Sequence, residues 1–390
     1  MERSWLHVAL VISNGLSRLS WPAMAVILVA LALAVGVVWR GVISWAWAGW
    51  LAGGLYLLFA AADWLLLWLL PRRNMAYGPV EPPLMALAAL RWALALMAAA
   101  LVVWPGLTAG ASLIALTLAF GAISALSVYA VAIEPFRLGV TEMTLCSPRL
   151  SAQAPSLRVL QMGDLHIERL TRRERELSDR IVALAPDLIL LTGDYLNLSY
   201  VYDGLAIEQA RAFLGRLQAP FGVYAVAGSP PVDPPETVQQ IFQGLGNVRL
   251  LQNESSILDV RGQRIGLVGV TCSHDLQVDA ARLDRSLADV PSDTFTLLLY
   301  HSPDLMPEMA SRGVDLYLAG HTHGGQIRLP FLGAILTSSA YGKRYEMGHY
   351  RQGRTQLYVA RGVGMEGLGA PRARLLCPPE IVLWTLAGCG

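Results

Sequence analysis

Charge is scarce in this chain. Asp, Glu, Lys and Arg make up only 15% of its 390 residues while apolar residues reach 54%; soluble proteins carry roughly 25% charged residues. That imbalance excludes an ordinary soluble protein over the whole length and points to a membrane. The net charge of +1 offers no basic domain of the kind that grips a phosphate backbone, which argues against a nucleic-acid partner. Lysine is nearly missing: Lys343 stands alone among the arginines, and no function is read from that. The four cysteines, Cys146, Cys272, Cys377 and Cys389, have neither paired spacing nor a zinc-knuckle pattern, so free thiols in a reducing compartment are expected. No internal repeat or low-complexity tract is present. The length leaves room for two or three domains, at least one with a full core.

What is plentiful is long apolar sequence, all of it in the first third. An uncharged run from Trp21 toward Arg40 is long enough, at about 1.5 Å per residue, to cross a hydrocarbon core of about 30 Å. A cleaved signal peptide has a shorter apolar region and is not followed by further spans, so the run is read as an anchor. Three more spans follow, from about Ile43 to Leu70, Leu84 to Trp104 and Ala109 to Ile133, with tryptophans (Trp21, Trp39, Trp45, Trp47, Trp50, Trp68, Trp104) toward their ends. Trp5 to Leu16 is too short to span and is expected along the interface. Arg3, Arg18, Arg72, Arg73, Arg137 and Arg149 fall on one side of these spans and only Arg40 on the other, which puts both termini in the cytoplasm of an inner-membrane, multi-pass protein.

Two charges interrupt the spans. Asp63 lies eight residues before Pro71 and Arg91 eight after Pro83. In antiparallel neighbours both then sit about 12 Å from the same end, so an ion pair holding spans two and three together is preferred to a proton relay or transport site. Gly49 and Gly53 form a small-xxx-small pattern that predicts close helix packing.

After Pro135 the composition changes. Residues 1–134 read as the helical membrane domain, 135–154 as a linker and 155–390 as an α/β domain. Strands are expected over Leu157 to Met162, Leu188 to Thr192, Val223 to Ala227, Arg264 to Val270, Phe295 to Tyr300, Leu316 to Ala319, Gln356 to Ala360 and Ile381 to Leu386. Helices are expected over Arg172 to Leu184, Leu205 to Leu217, Thr237 to Leu245 and Ala280 to Asp289. Such alternation predicts helices covering sheets, with polar ligands gathered at strand ends.

Several of those strand ends carry metal-ligand side chains: Gly163-Asp164-Leu165-His166, Gly193-Asp194-Tyr195, His301-Ser302-Pro303 and Gly320-His321-Thr322-His323. A single strand-end Asp is usually a turn former, and His-x-His alone is weak because i and i+2 share a face of any strand. The set as a whole, with no cysteine in it, suits Mn, Fe, Zn or Mg.

On these motifs the chain resembles the calcineurin-like metallophosphoesterases, particularly their membrane-anchored bacterial branch, over about residues 155 to 388. The family pattern is Asp-x-His, Gly-Asp, Gly-Asn-His-Asp/Glu, His and Gly-His-x-His, and four of the five blocks stand here in order. The resemblance implies a four-layer α-β-β-α sandwich with two divalent cations at the strand ends. It implies that Asp164, His166 and His323 hold the first, that Asp194 bridges, and that His301 and His321 hold the second. The third block departs: Gly228-Ser229-Pro230-Pro231 follows the strand that ends at Ala227. Ser229 replaces the ligand asparagine, and Pro230 replaces the histidine that touches the scissile phosphate and helps the leaving group; proline neither donates a proton nor binds a metal through its side chain. Ser229 and Asp233 are the candidate replacement ligands, and with the second set incomplete a single ion is the alternative to two.

Arg169 and Arg361 are candidate phosphate binders, with Arg372 and Arg374 as further ones, and Gln326 is a candidate support behind the ligands. For Arg169, Arg172, Arg173 and Arg175 together the plainer reading is a solvated helix start. Gly362-Val363-Gly364-Met365-Glu366-Gly367 matches the dinucleotide glycine pattern, but Pro371 and Pro378 leave no helix after it; an active-site loop is expected instead. His7, His274 and His349 are left as structural. The leading reading is a membrane-anchored metallophosphoesterase that hydrolyses a phosphorylated small molecule or lipid-linked ester or pyrophosphate beside a bilayer. The alternative is a catalytically impaired relative that serves as a metal-containing binding or sensing module. Oligomeric state is not legible.

Overall fold

The computed structural model describes residues 15–43, 46–75, 77–103, 107–366 and 372–389. They form two compact units, one running to Ile133 and including Arg372, the other comprising Glu134–Glu366 and the chain from Ala373 onward.

The first unit holds four helices long and apolar enough to cross a membrane. Helix α1 (Trp21–Val42) starts where the Ser20 hydroxyl accepts from the Ala23 amide and Pro22 sits in the first turn, where no amide hydrogen is needed. It is followed by α2 (Ala46–Arg72), α3 (Glu81–Val103) and α4 (Ala109–Val128), the last capped by the Thr108 hydroxyl. The Gly49 and Gly53 pattern does what small residues do. A Cβ on Gly49 would lie 2.5 Å from the Gly36 carbonyl oxygen and one on Gly53 2.7 Å from that of Ala32, so α1 and α2 touch backbone to backbone. Asp63 and Arg91 meet as the sequence predicts. Arg91 Nε and Nη2 lie 2.7 and 2.8 Å from the two carboxylate oxygens, while two more of its donors reach the Phe120 carbonyl and the Ser124 hydroxyl of α4. Four of the five N–H groups of the buried guanidinium are thereby used, which marks a clamp joining three helices. Trp45, Trp104 and the stretch Trp5 to Asn14 lie outside the described residues, and Gly15–Arg18 is a 3₁₀ turn.

In the second unit the strands are β1 (Gly139–Ser147), β2 (Leu157–Met162), β3 (Leu188–Leu191), β4 (Val223–Ala225), β5 (Val248–Leu250), β6 (Glu254–Val260), β7 (Gln263–Val270), β8 (Phe295–Tyr300), β9 (Leu316–Ala319), β10 (Arg328–Leu329), β11 (Gly333–Ala334), β12 (Gly348–Gln352), β13 (Thr355–Val359) and β14 (Glu380–Gly388). The helices are α5 (Arg172–Leu184), α6 (Gly204–Leu214), α7 (Pro235–Phe242) and α8 (Leu276–Leu287). One six-stranded sheet runs β1-β14-β2-β3-β4-β5 and a second β12-β13-β9-β8-β7-β6; β10 and β11 form a separate hairpin.

Uninterrupted apolar runs such as Leu188-Ile189-Leu190-Leu191 are buried on both faces, as strands inside covered parallel sheets must be. Val159, Leu188 and Leu190 of the first sheet pack against Leu267, Leu297 and Leu316 of the second. On the outer face of the first sheet Met162 and Leu191 meet Leu177 of α5 and Phe213 of α6. On that of the second, Leu298 and Tyr317 meet Leu283 of α8. The result is the four-layer α-β-β-α order.

Two expectations need correction. Residues 135–154 are no linker: β1 lies within them, paired in parallel along its whole length with β14 from the far end of the chain. Nor are all four cysteines free. Cys146 and Cys389 are joined as a disulfide across that same strand pair, with Cα atoms 5.3 Å apart, and only Cys272 and Cys377 are buried thiols.

Candidate metal centre

The chain turns sharply at most of the places where a ligand-type residue leaves a strand. Asp164, His166, Asp194, His321 and His323 all have positive φ, between 42° and 72°. This left-handed conformation is uncommon outside glycine and costs energy, so its recurrence at these positions is characteristic of a functional site. Two glycines make room. A Cβ on Gly320 would lie 2.2 Å from Asp164 Oδ2, and one on Gly228 2.0 Å from Asp194 Oδ1. The side chains converge in two groups, Asp164 with His166 and His323, and Asp194 with His301 and His321. The single oxygen Asp194 Oδ2 stands 3.8 Å from His166 Nε2 in one group and 3.2 Å from His301 Nε2 in the other.

Hydrogen bonding fixes which nitrogen each imidazole turns inward. His301 Nδ1 is 2.8 Å from the Thr192 carbonyl, His166 Nδ1 3.2 Å from that of Leu196, and His321 Nε2 3.2 Å from that of Ser338. A carbonyl only accepts, so each outer nitrogen carries a hydrogen, and in the neutral ring the inner nitrogen presents its lone pair to the centre. Ser229 Oγ lies 3.1 Å from His301 Nε2 and 3.2 Å from His321 Nδ1, and its one hydrogen serves only one of them. Inward lone pairs held from behind by carbonyls are the arrangement of metal-ligating histidines, and the donor set fits a hard or borderline divalent cation.

Electrostatics agrees. Burial pushes His166 down to about 4 and takes His321 and His323 well below the usual imidazole range, so all three are neutral at pH 7. Burial also opposes charge on His301, but the adjoining Asp194 carboxylate outweighs it and raises that ring to about 9. Asp164 is raised to about 7 by burial, with Asp194 adding to the rise; Asp194 is buried too, yet the nearby imidazoles, His301 foremost, hold it well below the usual carboxylate range. The protein groups alone thus pack mutually repelling acids and hold a proton where a cation suits them better.

Ser229 sits among the second group, its amide also donating to Asp194 Oδ1 at 2.7 Å. The other candidates need correcting. Asp233 does not turn toward the centre. Its Oδ2 accepts from the Asp194 and Gly228 amides at 2.8 and 2.7 Å and its Oδ1 from the Tyr195 amide at 3.0 Å, so it is a brace for the backbone that carries Asp194. Arg169 is held in a two-pronged pair with Asp203 and lies over Tyr200, and Arg361 is paired with Glu380 at 2.6 Å. Both guanidiniums are thus already paired with carboxylates. Arg372 is buried over Tyr77 in the helical unit, and Arg374 spends its donors on the carbonyls of the 361–364 loop and Cys377, with Nη2 3.5 Å from His323 Nδ1. That loop presses on the site as expected: a Cβ on Gly364 would lie 2.7 Å from His166 Cβ. Gly367 of the glycine pattern lies outside the described residues.

Two residues have no role of their own in the sequence motifs. Glu366 Oε2 lies 3.2 Å from His166 Nδ1, grouping it with His166 and Asp194, and its amide donates to Oε1 of Gln326 at 2.9 Å. His274, after β7, has φ of 60° like the ligand positions, and its ring centroid is 4.9 Å from that of His321. Asp279 pins its loop by accepting from the Ser273 amide and hydroxyl and from Tyr300. No spacing rule links a lone histidine to His321, 47 positions later. His349 meets Gln356 at the surface, and His7 lies outside the described residues.

Comparison with known proteins agrees with this geometry. The family model described as calcineurin-like phosphoesterase matches residues 157–325. The uncharacterized metallophosphoesterase YkuE of Bacillus subtilis is 32% identical over 69% of this chain and 93% of its own length. Phosphodiesterase YaeI of Escherichia coli is 29% identical over 60% and 83%. The UDP-2,3-diacylglucosamine pyrophosphatase LpxG of Chlamydia trachomatis is 26% identical over 66% and 91%.

Proposed function

Because the chain belongs to the calcineurin-like phosphoesterase family, and is therefore a metal-dependent hydrolase of phosphoester bonds, we propose that it cleaves a phosphodiester or pyrophosphate bond of a lipid-linked substrate beside a bilayer. The observation that carries the reading is the ring of inward-turned nitrogens on His166, His301 and His321, each ring fixed from behind by a carbonyl. In this reading Asp164, His166 and His323 would hold one divalent cation, and His301, His321 and the Ser229 hydroxyl a second, with Asp194 within reach of both groups. Bound there, two cations supply a water of lowered pKa and neutralise phosphoryl oxygens. The residues of the chain do the rest. Asp233 keeps the Asp194 strand end in place, and His274, one ring beyond His321, offers the N–H donor to a phosphoryl oxygen that Pro230 lacks. The lipid link is supported by the four apolar helices and by the similarity to LpxG.

The full chain in nanodiscs, loaded with Mn²⁺, is expected to hydrolyse bis-p-nitrophenyl phosphate and a lipid-linked pyrophosphate. Chelation or Asp194→Ala is expected to abolish both activities. No turnover with Mn²⁺, Fe²⁺, Zn²⁺ or Mg²⁺ would instead favour a metal-containing binding or sensing module, the reading that Pro230 supports.

Orientation is proposed from the arginine asymmetry, which puts the hydrolase unit in the cytoplasm. The Cys146–Cys389 pair favours the opposite, oxidising side. An impermeant thiol reagent in intact cells decides between them: no labelling of Asp293→Cys, an exposed position of the hydrolase unit, supports the cytoplasm, and labelling refutes it.

A further inference from the structure

We propose that the β10–β11 hairpin is a membrane-inserting loop that seats in the headgroup region of an anionic bilayer. From Leu329 to Gly342 the chain carries no charge, yet much of this stretch faces outward: Phe331 is fully exposed, Leu332 66%, Ile335 50%, Leu336 43% and Leu329 42%. Single exposed apolar residues are ordinary, but a contiguous cluster marks an interaction surface. Phe331 has φ of 66°, a conformation in which a bulky side chain is a genuine outlier, and it holds its ring at the tip of a turn where the described residues give it no packing.

The base of the hairpin, in contrast, is fastened. Arg328 donates to Glu346 at 2.7 Å and to the Gly324 carbonyl at 2.9 Å, and the Ala334 amide reaches Glu346 at 3.2 Å. A Cβ on Gly325 would lie 2.5 Å from that of Ala334, so the hairpin is rooted on the turn that follows His323. Cations border the apolar tip. The chain's one lysine, Lys343, donates from Nζ to the Leu332 carbonyl at 2.8 Å, and it and Arg344 are exposed. Tyr341, also exposed, adds an aromatic of the interfacial type. An uncharged tip of Leu and Phe backed by Lys, Arg and Tyr matches the zone between acyl chains and anionic headgroups. A bilayer is the occupant to expect because the same chain carries four apolar helices long enough to cross one. The inference rests on that membrane reading and not on the hydrolytic one.

The test uses the full chain, one copy per nanodisc, with an environment-sensitive fluorophore on Phe331→Cys or, keeping the phenylalanine, on Leu332→Cys. Asp293→Cys serves as the reference, being exposed ahead of β8, at the end of that strand opposite His301. Expected are a blue-shifted emission and at least twofold quenching by bromo-lipids at 331 and 332, neither at 293. In discs containing phosphatidylglycerol, Lys343→Gln with Arg344→Gln is expected to weaken that quenching severalfold. Water-like emission without lipid quenching at both hairpin positions would overturn the proposal, as would quenching found only in discs holding two copies. Hydrolysis does not enter the readout, so failure here is separate from failure of the catalytic reading.

Discussion

Replacing Asp233 with asparagine separates a brace from a ligand. The buried carboxylate accepts three backbone amides, two on Oδ2 and one on Oδ1. Asparagine keeps one oxygen, so with that oxygen on the Asp194 and Gly228 amides its NH₂ opposes the Tyr195 N–H. One buried donor is then orphaned, at about 1–3 kcal/mol, and the two surviving bonds lose their ionic character, roughly halving them. Burial and the Asp194 charge raise the Asp233 carboxyl to about 7, so relief of that repulsion offsets part of the loss. A net cost of about 2–4 kcal/mol remains, or about 5–15 °C in Tm for a unit of this size. The assay is thermal unfolding of the full chain in detergent with excess chelator, followed by the near-UV signal of the hydrolase unit. A brace predicts that drop without any metal. An unchanged Tm under chelation, with a loss appearing only when Mn²⁺ is added, would refute the argument and restore Asp233 as a ligand.

Other consequences are open to measurement. Asp63→Ala or Arg91→Ala alone leaves a buried partner without its counter-charge and is expected to cost about 3–5 kcal/mol, whereas the double variant, which also gives up the Arg91 bonds to Phe120 and Ser124, is expected to cost clearly less than the sum of the two; a double-variant loss equal to that sum would contradict a coupled pair. His274→Ala is expected to lower kcat/KM about tenfold, through loss of one neutral hydrogen bond to phosphate, with Cys272 and metal content undisturbed; an unchanged kcat/KM would remove His274 from the site. Metal affinity is expected to fall with acid. His301 keeps its proton up to about 9 unless a cation displaces it, so from pH 8 to pH 6 affinity for Mn²⁺ is expected to drop about tenfold per unit, with proton release visible in calorimetry; a flat profile would contradict the assignment.

Much of the fold was legible because buried parallel strands have a blunt signature. Arg172 to Leu184, with Thr171 and Glu174 forming a capping box, is found as expected, and so are β2, β8 and β9. The edge strand β1 was not legible, since its alternating half-exposed residues look like a tether until β14 pairs with them; Cys146 and Cys389, 243 positions apart, are brought together by that same pairing. Strand-end Asp and His residues announced the site because short motifs survive translation into space. What Asp233, Arg169 and Arg361 do depends on partners that no spacing rule supplies: the Asp194, Tyr195 and Gly228 amides, Asp203 and Glu380. His274 was hidden for the converse reason, being a single residue placed beside the centre by a loop, while Glu366 stood in the glycine pattern without a role of its own.

The central claim is that Ser229 completes a second cation position that the Pro230 departure leaves in use. It is tested most directly by the metal-to-protein ratio of the purified full chain, read by mass spectrometry on the preparation used for turnover, for wild type and Ser229→Ala. Two ions per chain with turnover in the wild type, falling toward one with turnover lost in the variant, is the predicted result. One ion in both proteins, with turnover unchanged or absent in both, would contradict it.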